Sequence, residues 1–320
     1  MLPSSNATTP GSFGSRLSLT QLATLREFER HGTLAAAADS LGYTAGAVSQ
    51  HVSALERSLG TQLVERAGRH LVLTDAGRVL ADYADRILAM EREARHAIAS
   101  TEGRVAGPLT VGTWGSTAAA LLAPVVERMT AAFPEVTLRS REVALDEAAP
   151  AVRHGDVDVA FGLDYVDAPM PRDAGIAVLA LHAEPFAVAV ATDLDIPRSD
   201  LVGIETLAQL DWVLPPPGSL YGRALRSGFR KRGFEPRVVH EVTDTAAALQ
   251  LAAAGLGATV VTDLMRHLNP MSELRRLEMA DPVTRQIVLI TPRSVRRSVA
   301  AFTDLVRDAV DALLKARHSR

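Results

Sequence analysis

The chain has 320 residues, 47% hydrophobic and 22% charged, a length that allows two or three domains and a balance that excludes a disordered chain. It contains no cysteine, which rules out disulfides, thiol catalysis and thiolate metal sites. The net charge is −3, so any contact with nucleic acid must rest on locally placed cations rather than on a bulk basic field.

The opening MLPSSNATTPGSFGS has neither the basic start nor the apolar core of a signal peptide, and its Ser, Thr, Pro and Gly predict a disordered leader over 1–16. No apolar run reaches the roughly 18 residues of a membrane helix, so a soluble, cytoplasmic protein without a membrane partner is expected.

A helical unit is predicted over 17–74. Leu19, Leu22, Leu25 and Phe28 recur at helical spacing, and His31-Gly32 ends that helix. Thr33 caps an alanine-dense second helix that Gly42 breaks. Thr44 then caps a third, which Gly60 closes. In the third helix Val48, Val52, Leu55 and Leu59 share one face, while Ala45, Gly46, Ser49, Gln50 and Ser53 take the other. QLVERAGRHLVLT reads as a small hairpin, with Arg66, Arg69 and His70 at its tip. Arg16 to Leu73 holds six arginines against five carboxylates, a charge too even to attract DNA by itself.

A long helix follows over 75–103. Ala76, Leu80, Tyr83, Ile87, Met90, Ala94 and Ala97 alternate four and three apart, a heptad seam that calls for a partner helix. Packing on the same chain is the other reading of that seam. From Leu109 strands alternate with helices: LTVGT, Ala118 to Ala132, VTLRSRE, Glu147 to His154 and VDVAFG form a βαβαβ series of buried, parallel-sheet character. PFAVAV, DWVLPP, Tyr221 to Arg232, VVHEV, Ala246 to Ala254 and ATVV form a second. RQIVLIT and a helix from Arg297 to Ala316 finish the chain. Two α/β lobes with a return crossing would place a ligand cleft between them.

The stretch TLAAAADSLGYTAGAVSQHVSALERSLGTQLVERAGRHLVLTDAG resembles the LysR-type transcriptional regulators. It carries the alanine pair before Leu41, the AVS of Ala47 to Ser49, Leu55-Glu56, Leu59-Gly60, the wing Arg66, and Leu73, Thr74 and Gly77 in register. Weaker agreement continues in LLAPVVERMTAAFPEVTL, HGDVDVAFG and AAGLGATVV. Two positions depart from the pattern. Ala45-Gly46 stands where the family often has Gln-Pro, and Thr262 where a proline usually follows the AGLG strand.

The resemblance implies an α/β fold class with an N-terminal all-α winged helix-turn-helix, a long linker helix, and a two-lobed, periplasmic-binding-protein-like (Rossmann-like) effector domain. That domain would span 108–316, with lobe I at about 108–180 and 280–316 and lobe II at about 181–279. A homodimer through the linker helix, assembling further to a homotetramer, would read a palindromic operator in double-stranded DNA. The third helix would lie in the major groove, with Gln50 toward adenine, Ser49 toward base or phosphate, and Thr44 with the free N–H groups of the helix start toward phosphate. The wing cations Arg66, Arg69 and His70 would reach the backbone or minor groove.

A small-molecule effector, a carboxylate, would sit against Trp114, Gly115, Ser116 and Thr117 in one lobe and Gly218 and Ser219 in the other, each pair of segments opening a helix after a strand. Ordinary capping explains these residues equally well, and Trp114 suits a core as well as a cleft. Phe161-Gly162 at a strand end, Leu145 where some members carry a hydroxyl, and Thr243 and Thr245 complete the candidates. No nucleotide loop, His-x-x-x-His or Gly-x-Ser-x-Gly pattern supports an enzyme. His154, His182 and His240 stand singly, and Asp156 and Asp158 suit a turn, so no catalytic residue, cofactor or metal is expected. The competing class is a solute-binding or storage protein of the same two-lobe fold with the helical unit as an assembly module.

Overall fold

The structure, a computed structural model, describes residues 17–68, 70–99, 104–166, 168–172, 175–196, 201–268 and 273–318. The expected leader and Arg69 lie outside the described residues, as do 100–103. The chain divides into two compact units, one reaching Arg95 and the other starting at His96.

In the first unit, helix α1 (Leu19–His31) buries Leu22, Leu25 and Phe28 and ends at Gly32 in the left-handed conformation. Leu19, in the first turn, lies beyond the packed surface and stays exposed. Thr33 accepts the Ala36 N–H at 3.2 Å to start α2 (Leu34–Leu41), and Thr44 accepts the Ala47 N–H at 3.2 Å to start α3 (Ala45–Leu59). Val48, Val52 and Leu55 are buried, but Leu59 is exposed in the last turn, past the reach of the neighbouring helices. Strands β1 (Val64–Ala67) and β2 (His70–Leu73) pair antiparallel as the hairpin.

The motif residues prove to be joints. Glu56 accepts the Leu63 and Val64 N–H groups at 2.9 and 3.3 Å, tying α3 to β1. The Thr74 hydroxyl donates to Gln62 O at 2.8 Å and accepts the Gly77 N–H at 3.0 Å, tying the hairpin base to helix α4 (Asp75–Ala99). Buried Glu27 meets Arg26 at 2.8 Å and the Ser40 hydroxyl at 3.0 Å, fastening α1 to α2. Burial works to raise its pKa, yet the Arg26 hydrogen bond and charge, Ser40 and Arg30 together hold it below the ordinary carboxylate value.

The heptad seam divides on α4. Ala76, Leu80 and Ile87 pack against the first unit's own core, beside buried Ala81 and Ala84. Tyr83, Met90 and Ala94 face outward, joined by exposed Val79 and Ile98. A repeat of four and three marks one stripe but cannot say that two surfaces share it. The helix turns gradually from its own core toward the open side.

The second unit holds two sheets. In the first, β3 (Gly107–Thr113) lies parallel between β4 (Val136–Glu142) and β5 (Val159–Tyr165). β13 (Thr284–Pro292) then runs antiparallel between β5 and β6 (Ile176–Pro185). The parallel reading of the βαβαβ series holds for β3, β4 and β5, but the fully buried reading does not. β4 is an edge strand, mostly exposed, and β13 returns from the other lobe in the opposite sense. Helices α6 (Ala123–Ala132) and α11 (Arg297–His318) supply Val125, Met129, Phe302 and Val306 to its core.

The second sheet has the order β11 (Thr259–Val261), β7 (Ala187–Ala191), β12 (Leu274–Met279), β8 (Leu201–Val202). A parallel pair, β9 (Asp211–Leu214) and β10 (Arg237–Glu241), joins it through a bridge from Trp212 to Ala258. Strands β6 to β7 and β12 to β13 are the two passages between the sheets. There Arg285 donates to Glu184 at 2.9 and 2.7 Å and to the Thr262 hydroxyl at 2.8 Å, while Glu184 accepts the Leu264 N–H at 3.0 Å. Thr262, the departure from proline, thus supplies an acceptor to a buried guanidinium. Among the described residues no helix is long and apolar enough to cross a membrane.

Candidate nucleic-acid interface and ligand cleft

Helix α3 turns its apolar stripe inward, so its other side faces out. Ala45, Gly46, Ser49 and Gln50 are exposed and Ser53 is half-buried. The helix is held from behind. His51 Nδ1 hydrogen-bonds the Thr24 hydroxyl of α1 at 2.9 Å, and the Tyr43 ring stands edge-on to the imidazole at 5.4 Å. Thr44 is exposed but its oxygen already accepts the Ala47 N–H, so a phosphate there would meet its O–H and the neighbouring amides. On the hairpin Arg66 and His70 are exposed, and among the described residues Arg66 forms no ion pair.

In the second unit the residues expected at the ligand separate into three groups. Trp114, Gly115, Ser116 and Thr117 open helix α5 (Gly115–Thr117), which continues through a wide turn at Ala118–Leu122 into α6. The Thr117 hydroxyl is engaged, donating to Trp114 O at 2.9 Å and lying 2.9 Å from the Thr113 hydroxyl. The Ser116 hydroxyl is buried and has no hydrogen-bond partner among the described residues. Trp114 is half-buried and meets Phe161 edge-to-face at 6.4 Å. A Cβ on Gly115 would come within 3.9 Å of Leu268 from the other lobe.

The second group is Leu145 with Ser219. Leu145 lines a cavity of about 250 Å³ that also takes in Asp146, Leu220 and Arg223, so residues of both lobes share it. Ser219 caps α9 (Leu220–Lys231), accepting the Gly222 N–H at 3.0 Å and donating to Pro216 O at 2.8 Å, so its hydroxyl is committed. Gly218 is exposed with open space about it. Thr243 is exposed, and Thr245 opens α10 (Thr245–Ala253), whose cap is Asp244.

The third group leaves the cleft. Strand β5 runs on to Tyr165, so Phe161 and Gly162 lie in its middle rather than at its end. Phe161 is 1% exposed and packs on Phe302, and a Cβ on Gly162 would lie 2.7 Å from Ile290 Cδ1. Both belong to the core, because the strand is longer than its apolar run suggested.

The family model described as "Bacterial regulatory helix-turn-helix protein, lysR family" matches residues 19–78, and that described as "LysR substrate binding domain" matches residues 102–311. The chain belongs to the LysR family of transcriptional regulators. Among curated relatives, the transcriptional regulator ShiR of Corynebacterium glutamicum is 30% identical over 71% of this chain and 76% of its own. A full-length OxyR variant from Pseudomonas aeruginosa has the same fold, with a TM-score of 0.68 at 18% identity, covering 92% of this chain and 95% of that one. CbnR, solved with its target DNA, has a TM-score of 0.54 at 23% identity, covering 92% and 99%.

This LysR-type regulator is thus a DNA-binding transcription factor with a substrate-binding domain, not an enzyme. Among its described residues no group of His, Asp and Glu is placed to hold a metal. Three residues of its working regions carried no readable signal. His51 is a lone histidine whose role depends on Thr24, 27 residues away. Arg223 sits in a basic helix like any solvated one. Asp146, beside Leu145, had only the look of an acid near a helix start, and the Leu220 N–H it accepts lies 74 residues downstream.

Proposed function

We propose that this regulator binds a palindromic operator as a homodimer or a dimer of dimers, and that a small carboxylate in the cleft of its second unit sets its activity. Its DNA-directed role belongs to the cytoplasm. The observation that carries the reading of DNA is the division of α3, with Val48, Val52 and Leu55 buried and Ser49 and Gln50 exposed above them. Such a helix presents polar ends to base edges, and a wing arginine adds affinity without sequence preference. Thr44, Ala45, Gly46 and Ser53 border the same face, and Arg66 and His70 serve the backbone. The exposed apolar stripe of α4, with Val79, Tyr83, Met90 and Ile98, supports pairing with a second copy.

The carboxylate reading is supported by Ser116, a buried hydroxyl without a partner among the described residues at the start of a helix, where a ligand oxygen would satisfy it. A ligand shifts the regulator only through unequal affinity for two arrangements of the lobes.

Gel retardation on the DNA flanking the regulator's own gene tests the proposal. Gln50→Ala should relax preference at one base position, and Arg66→Ala should weaken binding to every sequence. Equal affinity and selectivity in both variants would remove the assignment. Ser116→Ala should abolish the thermal shift that a carboxylate screen finds with the wild-type chain.

A further inference from the structure

The end of the cleft where α9 begins is already occupied by a carboxylate of the chain itself. Asp146 precedes α7 (Ala148–His154) in one lobe, and α9 belongs to the other. The two Asp146 oxygens accept the Leu220 N–H, the first of α9, at 2.9 and 3.2 Å. Arg223, one turn on, lies 3.8 Å from the same carboxylate and also donates to Gly218 O. These are the donors a ligand acid would seek, a helix start and a guanidinium. Asp146 and Arg223 are 42% and 53% exposed, so solvent can replace either partner and the contact is exchangeable rather than a buried fixture. It also opens directly onto the cavity of about 250 Å³, whose walls are mostly apolar, with Leu145, Ala149, Pro150, Met170 and Pro171, and include Arg153 as a further cation.

We propose that Asp146 is an internal stand-in for the effector's acid group. It holds the lobes together across the cleft until a carboxylate on a compact apolar body enters the cavity and takes over the Leu220 N–H and Arg223. This rests on the cleft being the effector site; Ser116 is not among the described residues that line this cavity, so the α9 end of the cleft takes the acid through contacts of its own. The acid of such a ligand must displace an acid of the protein, so apparent affinity is lowered by the fraction of time that Asp146 is in place. A neutral ligand of the same shape meets no such competitor.

Calorimetric titration of the full-length protein with benzoate and with benzamide tests this. Asp146→Ala should bind benzoate about tenfold more tightly than wild type, the scale of one charge-assisted hydrogen bond, and should leave benzamide within about twofold. Adding Arg223→Gln to Asp146→Ala should remove most of the gain. Asp146→Asn, which keeps an acceptor for the Leu220 N–H, should show a smaller gain and serves where the alanine variant folds poorly. The proposal is overturned if Asp146→Ala binds benzoate no better than wild type, if benzamide gains equally, or if no form binds benzoate. The regulator reading fails on a different result, loss of operator retardation by the wild-type protein.

Discussion

Replacing Gly77 with alanine should weaken the first unit, although the same change inside most helices strengthens them. Gly77 lies in the first turn of α4, and a Cβ there would stand 2.0 Å from the Leu63 carbonyl oxygen and 3.1 Å from Leu73 Cδ2. A carbon and a carbonyl oxygen ordinarily stay about 3.3 Å apart. Helix α4 must therefore shift by roughly 1 Å from the hairpin, straining the bonds from Thr74 N–H to Leu63 O at 3.0 Å and from Gly77 N–H to the Thr74 hydroxyl. Overpacking of this kind costs about 1–3 kcal/mol, and the backbone atom in the way cannot rotate aside, so the upper part of that range applies. Helix propensity returns at most about 1 kcal/mol. The net loss is about 2 kcal/mol. Both tryptophans, Trp114 and Trp212, lie in the second unit, so fluorescence is blind to this change. Hydrogen exchange of the α1 and α3 amides reads it, and protection should fall about thirtyfold in the full chain. Gly46→Ala is the internal contrast. Its Cβ would meet nothing closer than the Thr44 hydroxyl at 3.9 Å, so it should raise protection by about 0.5–1 kcal/mol. Unchanged or higher protection in Gly77→Ala would refute the steric argument.

Glu27→Gln should cost the first unit about 2 kcal/mol at pH 7, read by the same exchange measurement, because Arg26 and Ser40 lose a buried charged acceptor. The folded pKa of Glu27 lies below its ordinary 4.5, so its contribution is present above that value and lost as pH falls through the folded one. The gap between wild type and variant should therefore close only below about pH 4.5. Arg285→Met should destabilise the second unit by about 3–5 kcal/mol, since it leaves Glu184 buried at 1% exposure without its guanidinium. Denaturant titration followed by tryptophan fluorescence checks this, and a loss under about 1 kcal/mol would mean the pair holds little.

The sequence by itself determined whatever is local. Thr33 and Thr44 cap, Gly32, Gly42 and Gly60 terminate, and Val48, Val52 and Leu55 face inward, because capping and helical period act within a few residues. That is why the exposed face of α3 was legible before any fold was known. The tertiary structure alone decided which surface each stripe meets. The one heptad pattern on α4 serves both the unit's own core, through Ala76, Leu80 and Ile87, and an open face, through Tyr83 and Met90. Phe161 and Gly162 moved from cleft to core because strand β5 extends to Tyr165 under β13, a strand more than a hundred residues on. The same holds at the ligand end. Ser219 read as a donor to an acid, but its hydroxyl is spent on its own helix, and the Leu220 N–H next to it is held by Asp146, 74 residues back. A helix start advertises free amides in any sequence, and only the folded chain shows which group has reached them.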